Sequence, residues 1–426
     1  MSRHASIALL LVFLAAGAAG ANGVTVRGRE FLGPDGQPLI LRGLNVSNNA
    51  KMKPYLPWQT ADDLARMKDW GCNCVRFLIL WAAIEPQPGQ YDDAYLAAVR
   101  QRLDWARAAG QYVILDMHQD VYGEKYGFCG APEWATVDGG VVFHQDPTRF
   151  WGASYLQPAV MEAFEGFWRN APGPDGVGVQ DHLIRAWVHV AQVLGDHPAV
   201  IGYDLLNEPF YGNILTDPLA IKAVLQAQRK MPKGMQLTDM FSAARRPDAQ
   251  AFISDPTELY STVDLADPVF RKFETGKLQP YYERVISELV KVTPDKIFFL
   301  ESHIWASGGG HCFLERPRVG GESLQIAYAP HYYDPACSPT VPYDGNPGRA
   351  REAFRRMQEV AERLDAPVLV GEWGDAESPG STAVRYVEDE GALMREFGFS
   401  DCYYEYSPEF SKGPVLAVLR KMWAPG

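Results

Sequence analysis

Eight short runs rich in β-branched and aromatic residues, separated for the most part by helical patterns, constrain this chain more than any other feature. They are Leu39–Ser47, Cys74–Trp81, Tyr112–His118, Val200–Pro209, Lys296–Ser302, Ile326–Tyr333, Pro367–Gly374 and Asp401–Ser407. Most are continuous apolar stretches rather than alternating ones, as expected of strands buried on both faces. Thr60 can cap a helix carrying Leu64, Met67 and Trp70 that stops at Gly71, and Asp92–Ala109 is amphipathic and ends at Gly110. Further helices fit Asp181–Leu194, Gln279–Val292, Gly348–Leu364 and Gly413–Trp423. Strand and helix alternating eight times predict an α/β fold, the (β/α)8 TIM barrel. Val24–Pro38, with a turn at Pro34-Asp35-Gly36, predicts a hairpin that closes the barrel bottom.

Two connections are too long for plain loops: about 119–180, dense in aromatic residues from Tyr122 to Trp168, and about 210–278, mixing Leu, Met and Phe with Lys and Arg. Both follow strands, so both are expected over the C-terminal face, where barrels carry their chemistry. Each can also be a decorative insertion with a small core of its own. The N-terminus reads as a secretory signal over residues 1–21: Arg3 and His4, an apolar core Ile7–Leu14, then small residues to Ala21. This implies a secreted or extracytoplasmic chain with one folded domain over 22–426, without a membrane span. The formal charge of −12 argues against nucleic acid and against anionic lipid as partners. Of six cysteines, Cys74 and Cys402 fall in strands as packed thiols, whereas Cys129, Cys312 and Cys337 near active-face loops allow a staple. No cysteine spacing suggests zinc.

Glu208 and Glu372 each end a buried run, in Leu205-Leu206-Asn207-Glu208-Pro209 and Val370-Gly371-Glu372-Trp373-Gly374. A carboxylate at the C-terminal end of a buried parallel strand is badly placed for stability and well placed for chemistry. Two on different strands of one barrel meet the requirement of glycosidic bond cleavage, one proton donor and one nucleophile or base. Polar residues end other runs: Arg76 in Cys74-Val75-Arg76-Phe77, His118 after Leu115-Asp116-Met117, Asn207 before Glu208, and His331 and Tyr333 in Ala329-Pro330-His331-Tyr332-Tyr333. One strand-end Arg or His is ordinarily structural; several on separate strands of one barrel point to a shared site.

Asn-Glu-Pro after the fourth run, His-x-Tyr in the sixth and Gly-Glu in the seventh resemble glycoside hydrolase family 5. Asp116-Met117-His118-Gln119-Asp120-Val121-Tyr122, Gly130-Ala131-Pro132-Glu133-Trp134-Ala135-Thr136 and Tyr155-Leu156-Gln157-Pro158-Ala159-Val160-Met161 are similar to the endoglycoceramidases. The resemblance extends from about Leu39 to Tyr406. It implies Glu372 as nucleophile and Glu208 as acid/base. Arg76 and Tyr333 would hold the nucleophile, Asn207 the sugar 2-OH, and His331 the acid/base region. Lys51, His118, Asp120 and Trp134 match positions that bind the sugar beside the scissile bond. The chain departs from the relatives in its eighth run, where Tyr404 takes the place of a Trp and Glu405 adds an acid. It leaves no room for their C-terminal β-sandwich, and its second insertion is unusually long.

The expectation is a retaining endo-β-glycosidase that releases glycan from ceramide, with a glycolipid or other β-glycoside as substrate and peripheral lipid contact. Neither metal nor other cofactor is required, because two carboxylates suffice. The alternatives are a β-glucosidase or β-glucanase on soluble or sterol-linked sugars, and a non-catalytic carbohydrate-binding barrel, which the intact pair of glutamates disfavours. Leu215, Leu219, Ile221, Met231, Met235 and Met240 suggest that the second insertion forms part of a lipid groove. Asn45-Val46-Ser47 is a glycosylation sequon expected to stay unmodified, since it ends a strand facing the site.

Overall fold

The computed structural model describes residues 23–46, 48–146, 150–236, 239, 252–319, 324–336, 342–374 and 381–424. The signal segment 1–21, Ser47, Met240 and Cys337 lie outside them. The chain opens with a small antiparallel sheet of β1 (Thr25–Arg27), β2 (Glu30–Leu32) and β3 (Pro38–Leu39). The main sheet follows: β4 (Arg42–Val46), β5 (Cys74–Ile79), β6 (Tyr112–Met117), β7 (Val200–Asp204), β8 (Ile297–Leu300), β9 (Ile326–Tyr328), β10 (His331–Tyr332), β11 (Leu369–Trp373) and β12 (Ser400–Tyr403).

All its neighbours pair in parallel, in the order β10-β11-β12-β4-β5-β6-β7-β8-β9. The two ends of that order, β9 and β10, are consecutive in the chain and parted by Ala329-Pro330, so the sheet closes on itself as an eight-stranded barrel. Pro330 has no N–H to give, which explains why the sixth predicted strand arrives in two pieces. The Gly371 N–H still bonds the Pro330 carbonyl at 2.9 Å, and Tyr328 bridges Val368, sealing the seam.

The helices stand where the pattern put them, with ends shifted by up to three residues. Thr60 and Asp63 form a reciprocal capping box on helix Ala61–Asp69, and Asp92 caps Asp93–Ala108. Predicted strands are generally longer than observed ones, because chain that leaves the ladder at the active face stays apolar: Trp81 begins a short helix, Trp81–Ile84, instead of ending β5.

The interior is filled in two parts. A lower plug of Leu41, Cys74, Ile114, Ile201, Ile297, Phe299, Leu369 and Cys402 lies inside the barrel, and Val24, just before β1, and Phe31 of β2 cover it. Phe31 stacks on Phe299 at 6.1 Å between ring centroids. The hairpin therefore closes the bottom, with a third strand added. A larger shell between strands and helices takes in the aromatics of the first insertion, where Tyr155 and Phe164 pack on Phe210 at 5.0 and 5.2 Å. Burying a side chain of this size contributes on the order of 1.5–3 kcal/mol, enough to hold the insertion on the active face. Among the described residues no helix is long and apolar enough to cross a membrane.

Candidate active site

Above the plug the barrel interior turns polar, and Arg76 is its centre. Paired with Asn45 across β4 and β5, it points inward and is fully buried. Its guanidinium donates to Glu372 Oε1 at 2.7 Å, Glu301 Oε1 at 2.8 Å, Asn207 Oδ1 at 2.9 Å, Asp204 Oδ2 at 3.0 Å and Asn45 Oδ1 at 3.1 Å. Asp116 Oδ1 lies 3.1 Å away. One cation thus ties together groups from β4, β5, β6 and β11 and the ends of β7 and β8. Asn45 Nδ2 donates to the carbonyls of Gly371 and Cys402, so the sequon asparagine is consumed within the barrel.

Glu372 is on β11 directly beside His331 in register. Tyr333 donates its hydroxyl to Glu372 Oε2 at 2.9 Å, while Arg76 holds the other oxygen. Burial by itself would push the Glu372 carboxyl up; His331 and Arg76, then His118 and Lys51, outweigh it and bring its pKa down to about 2. Glu208 follows β7 with φ at +44°. His331 Nδ1 lies 3.1 Å from its Oε1, and the Ser307 hydroxyl donates to the same oxygen at 3.3 Å. Burial, then Glu372 and Glu301, hold the Glu208 pKa above its ordinary value against the pull of His331. Two glutamates in one pocket are thereby driven apart, one ionised and one ready to carry a proton. Carboxylate oxygens of Glu208 and Glu372 come within 4.8 Å of one another. Inverting pairs stand about 6.5–9.5 Å apart to admit a water, and retaining pairs about 5–5.5 Å.

Lys51, His118, Asp120 and Tyr404 meet beside this pair. Lys51 Nζ is 2.7 Å from Asp120 Oδ2 and 5.3 Å from the Tyr404 ring centroid. His118 takes Asp116 on Nδ1 at 2.8 Å and turns Nε2 toward Asp120 at 3.6 Å. Burial works against the Lys51 ammonium, but Asp120 holds its pKa well above normal. Asp120 is correspondingly held far below the usual carboxylate range, by Lys51 and His118 against burial. Glu405 follows Tyr404, half-buried, its carbonyl accepting the Ser407 N–H.

Trp134 is half-buried in the first insertion. Its indole N–H donates to the Glu85 carbonyl at 3.1 Å, and its ring packs edge-on against Trp81 at 5.6 Å and His182 at 4.8 Å. It braces the first insertion against the barrel wall. The loop staple is likewise replaced by free thiols: Cys129 Sγ donates to Asp120 Oδ2 at 3.4 Å, and Cys312 Sγ accepts the Leu314 N–H.

Two residues of the site are not singled out from the sequence, Glu301 and Gln119. Glu301 accepts the Glu208 backbone N–H at 2.7 Å. Gln119 Nε2 donates to the carbonyls of Asn207 and Glu208 at 3.0 and 3.1 Å. Glu301 stands next to last in the run Lys296–Ser302, and that position near a strand end, the signal that exposed Glu208 and Glu372, could have found it.

The model of the cellulase family, glycosyl hydrolase family 5, matches residues 32–409. An endoglycoceramidase of Cyanea nozakii is 30% identical over 226 residues, 46% of this chain and 44% of that protein. Endoglycoceramidase I of Rhodococcus hoagii is 34% identical over 181 residues, 42% and 35% of the two. The matched region is thus less than half the length of these relatives. Endo-glycoceramidase II from Rhodococcus sp., in an iminocyclitol complex, superposes with a TM-score of 0.71 at 28% identity over 91% of this chain and 79% of that one. The same protein is known as a lactosyl-enzyme intermediate (TM-score 0.67, 30% identity, 88% and 74% covered) and with ganglioside GM3 (TM-score 0.68, 27% identity, 91% and 80% covered). With a closed barrel, Glu208 shortly after β7 facing the buried Glu372 of β11, and a family match over most of its length, the chain belongs to glycosyl hydrolase family 5.

Proposed function

We propose that this protein is a retaining endo-β-glycosidase that hydrolyses the bond between glycan and ceramide in glycosphingolipids. The observation that carries the mechanism is the close approach of Glu208 and Glu372 with their pKa values driven in opposite directions. Glu372 attacks the anomeric carbon while Glu208 gives its proton to the departing ceramide oxygen, so one C–O bond forms as the other breaks. The resulting glycosyl ester neutralises Glu372. Glu208, now a carboxylate, takes a proton from water, whose oxygen attacks the same carbon and returns Glu372 as leaving group. Arg76 and Tyr333 orient the nucleophile. Asn207, next to the acid/base, is placed for the sugar 2-OH, and Lys51, His118, Asp120 and Tyr404 supply charged and aromatic contacts for the adjoining hydroxyls.

Two things support a lipid aglycone. The similar endo-glycoceramidase II has been captured with ganglioside GM3. In this chain, helix Pro218–Lys230 in the second insertion buries only its alanines, Ala220, Ala223 and Ala227. It turns Leu219, Ile221, Val224 and Leu225 to solvent, with Leu215 just before it. Met231 and Met235 are buried, packing the insertion instead of lining a groove. Full burial of one such aliphatic side chain contributes roughly 1.5–3 kcal/mol, and a lipid would offer that burial. Export, through residues 1–21 acting as a cleaved signal, belongs to the same proposal; N-terminal sequencing of protein from the culture medium tests it.

The experiment is incubation with fluorescent glucosyl-, galactosyl- and lactosyl-ceramide beside a soluble aryl β-lactoside, with Glu372→Gln as control. Ceramide released by the wild type alone is the expected result, and the preferred lipid shows which sugar the Tyr404-Glu405 pair accepts. Cleavage of the soluble glycoside alone would discard the ceramide reading.

A further inference from the structure

Glu301 stands where the two halves of the site meet, and the mechanism above does not use it. It is the first residue past β8 and is 2% exposed. Oε1 accepts from Arg76 at 2.8 Å and lies 3.2 Å from His331 Nε2, an ion-pair contact rather than an aligned hydrogen bond. Oε2 accepts the Glu208 backbone N–H at 2.7 Å. A Glu at φ +44° is a strained backbone, costing about 1–3 kcal/mol, and persists where its surroundings hold it. Both sides of Glu208 are held: its N–H by Glu301, its carbonyl by Gln119.

We propose that Glu301 is a positioning residue for the acid/base step: Oε2 clamps the backbone of Glu208, and Oε1 keeps His331 charged and turned toward the Glu208 carboxyl. The inference rests on Glu208 being the acid/base. Three carboxylates face His331: Glu208 at 3.1 Å, Glu301 at 3.2 Å and Glu372 at 3.7 Å. Arg76 shares Glu301 and Glu372 with it. Burial would strip the imidazole of its proton, but Glu301 first, then Glu372 and Glu208, reverse this and hold His331 well above the ordinary histidine pKa. During turnover Glu372 loses its charge to the glycosyl ester, and Glu208 changes from acid to carboxylate. Glu301 is the partner whose charge does not change. It keeps His331 an imidazolium in both half-reactions, so the same N–H contact accompanies Glu208 as acid and as base.

Two variants test this. Glu301→Gln keeps the shape and an acceptor for the Glu208 N–H but removes the charge; Glu301→Ala removes both. Each is assayed by rapid quench on a dinitrophenyl β-lactoside, whose leaving group needs no proton, and on an alkyl or ceramide lactoside, whose leaving group does. The expected result is a glycosylation burst on the dinitrophenyl substrate close to wild type. On the poor leaving group the loss should be about 10²-fold, the lower range of general acid catalysis. Azide should restore dinitrophenyl turnover. Imidazole NMR of Glu301→Gln should show His331 titrating at lower pH, a shift that a merely structural role would not produce. Equal losses on both substrates, no loss with either variant, or an unmoved His331 titration would overturn the proposal. Glu208→Ala, run alongside, separates the premises: no azide rescue there discards Glu208 as acid/base, whereas rescue there without an effect at Glu301 discards this inference alone.

Discussion

Replacing Arg76 by Met keeps the length and apolar stem of the side chain and removes one charge from the middle of the barrel. Asp116, Asp204, Glu301 and Glu372 then face one another without their shared cation. Breaking a buried pair by deleting one partner costs about 3–5 kcal/mol, because a buried charge is left uncompensated. The structure adds a pH dependence. Glu372 is 5% exposed, so little solvent screening applies, and its pKa stands at about 2 against an ordinary 4.5. At about 1.4 kcal/mol per unit, this difference is on the order of 3 kcal/mol. A carboxylate with a depressed folded pKa contributes stability above pH 4.5, and that stability is lost as pH falls toward 2. Glu301 is also held below its ordinary value, burial being outweighed by His331 and Arg76, so it acts in the same direction. In Arg76→Met these pKa values rise, and the folded variant binds protons that the folded wild type refuses. The deficit of the variant should therefore be greatest near pH 7 and shrink by a few kcal/mol toward pH 3. Unfolding midpoints of both proteins, measured by thermal and urea denaturation across that range, read it directly. The acid limb of kcat/KM on an aryl β-lactoside should move to higher pH in the variant as Glu372 becomes harder to ionise. A deficit independent of pH, or one that grows in acid, would refute the view that Arg76 works by keeping these carboxylates charged.

Glu372→Gln should abolish turnover, with unchanged circular dichroism, because the amide cannot form the glycosyl ester. Glu208→Ala should spare the first step on a good leaving group and then stall, with added azide yielding a β-glycosyl azide; equal loss on all substrates without rescue would count against its role. Combined Ile221→Asp, Val224→Asp and Leu225→Asp should lower activity on ceramide-linked substrates by tenfold or more, about the worth of one lost apolar contact, and leave the soluble aryl lactoside untouched. A parallel loss on both would mean that the helix supports the barrel rather than the lipid.

Much of this molecule is legible in one dimension. Burial on both faces writes itself as continuous apolar runs, so all eight strands, their order and the barrel follow from local pattern. A glutamate ending such a run is conspicuous because the surrounding residues avoid charge, which singles out Glu208 and Glu372. Helix starts at Thr60 and Asp92 are equally local, since a cap bonds to amides two or three residues away. What the sequence leaves open concerns partners far apart in the chain. That Arg76 gathers groups up to 296 residues distant depends on the stagger with which the strands close the cylinder, and no local pattern encodes that. Glu301 draws no notice in the sequence; the fold places it between Arg76, His331 and the strained backbone of Glu208. Trp134 is a further case: no local pattern shows that its indole rests on Trp81 and His182, which lie 53 and 48 residues away. Composition and periodicity determine which residues must be inside; only closure of the barrel decides which of them touch, because burial is a property of one residue and contact is a property of two.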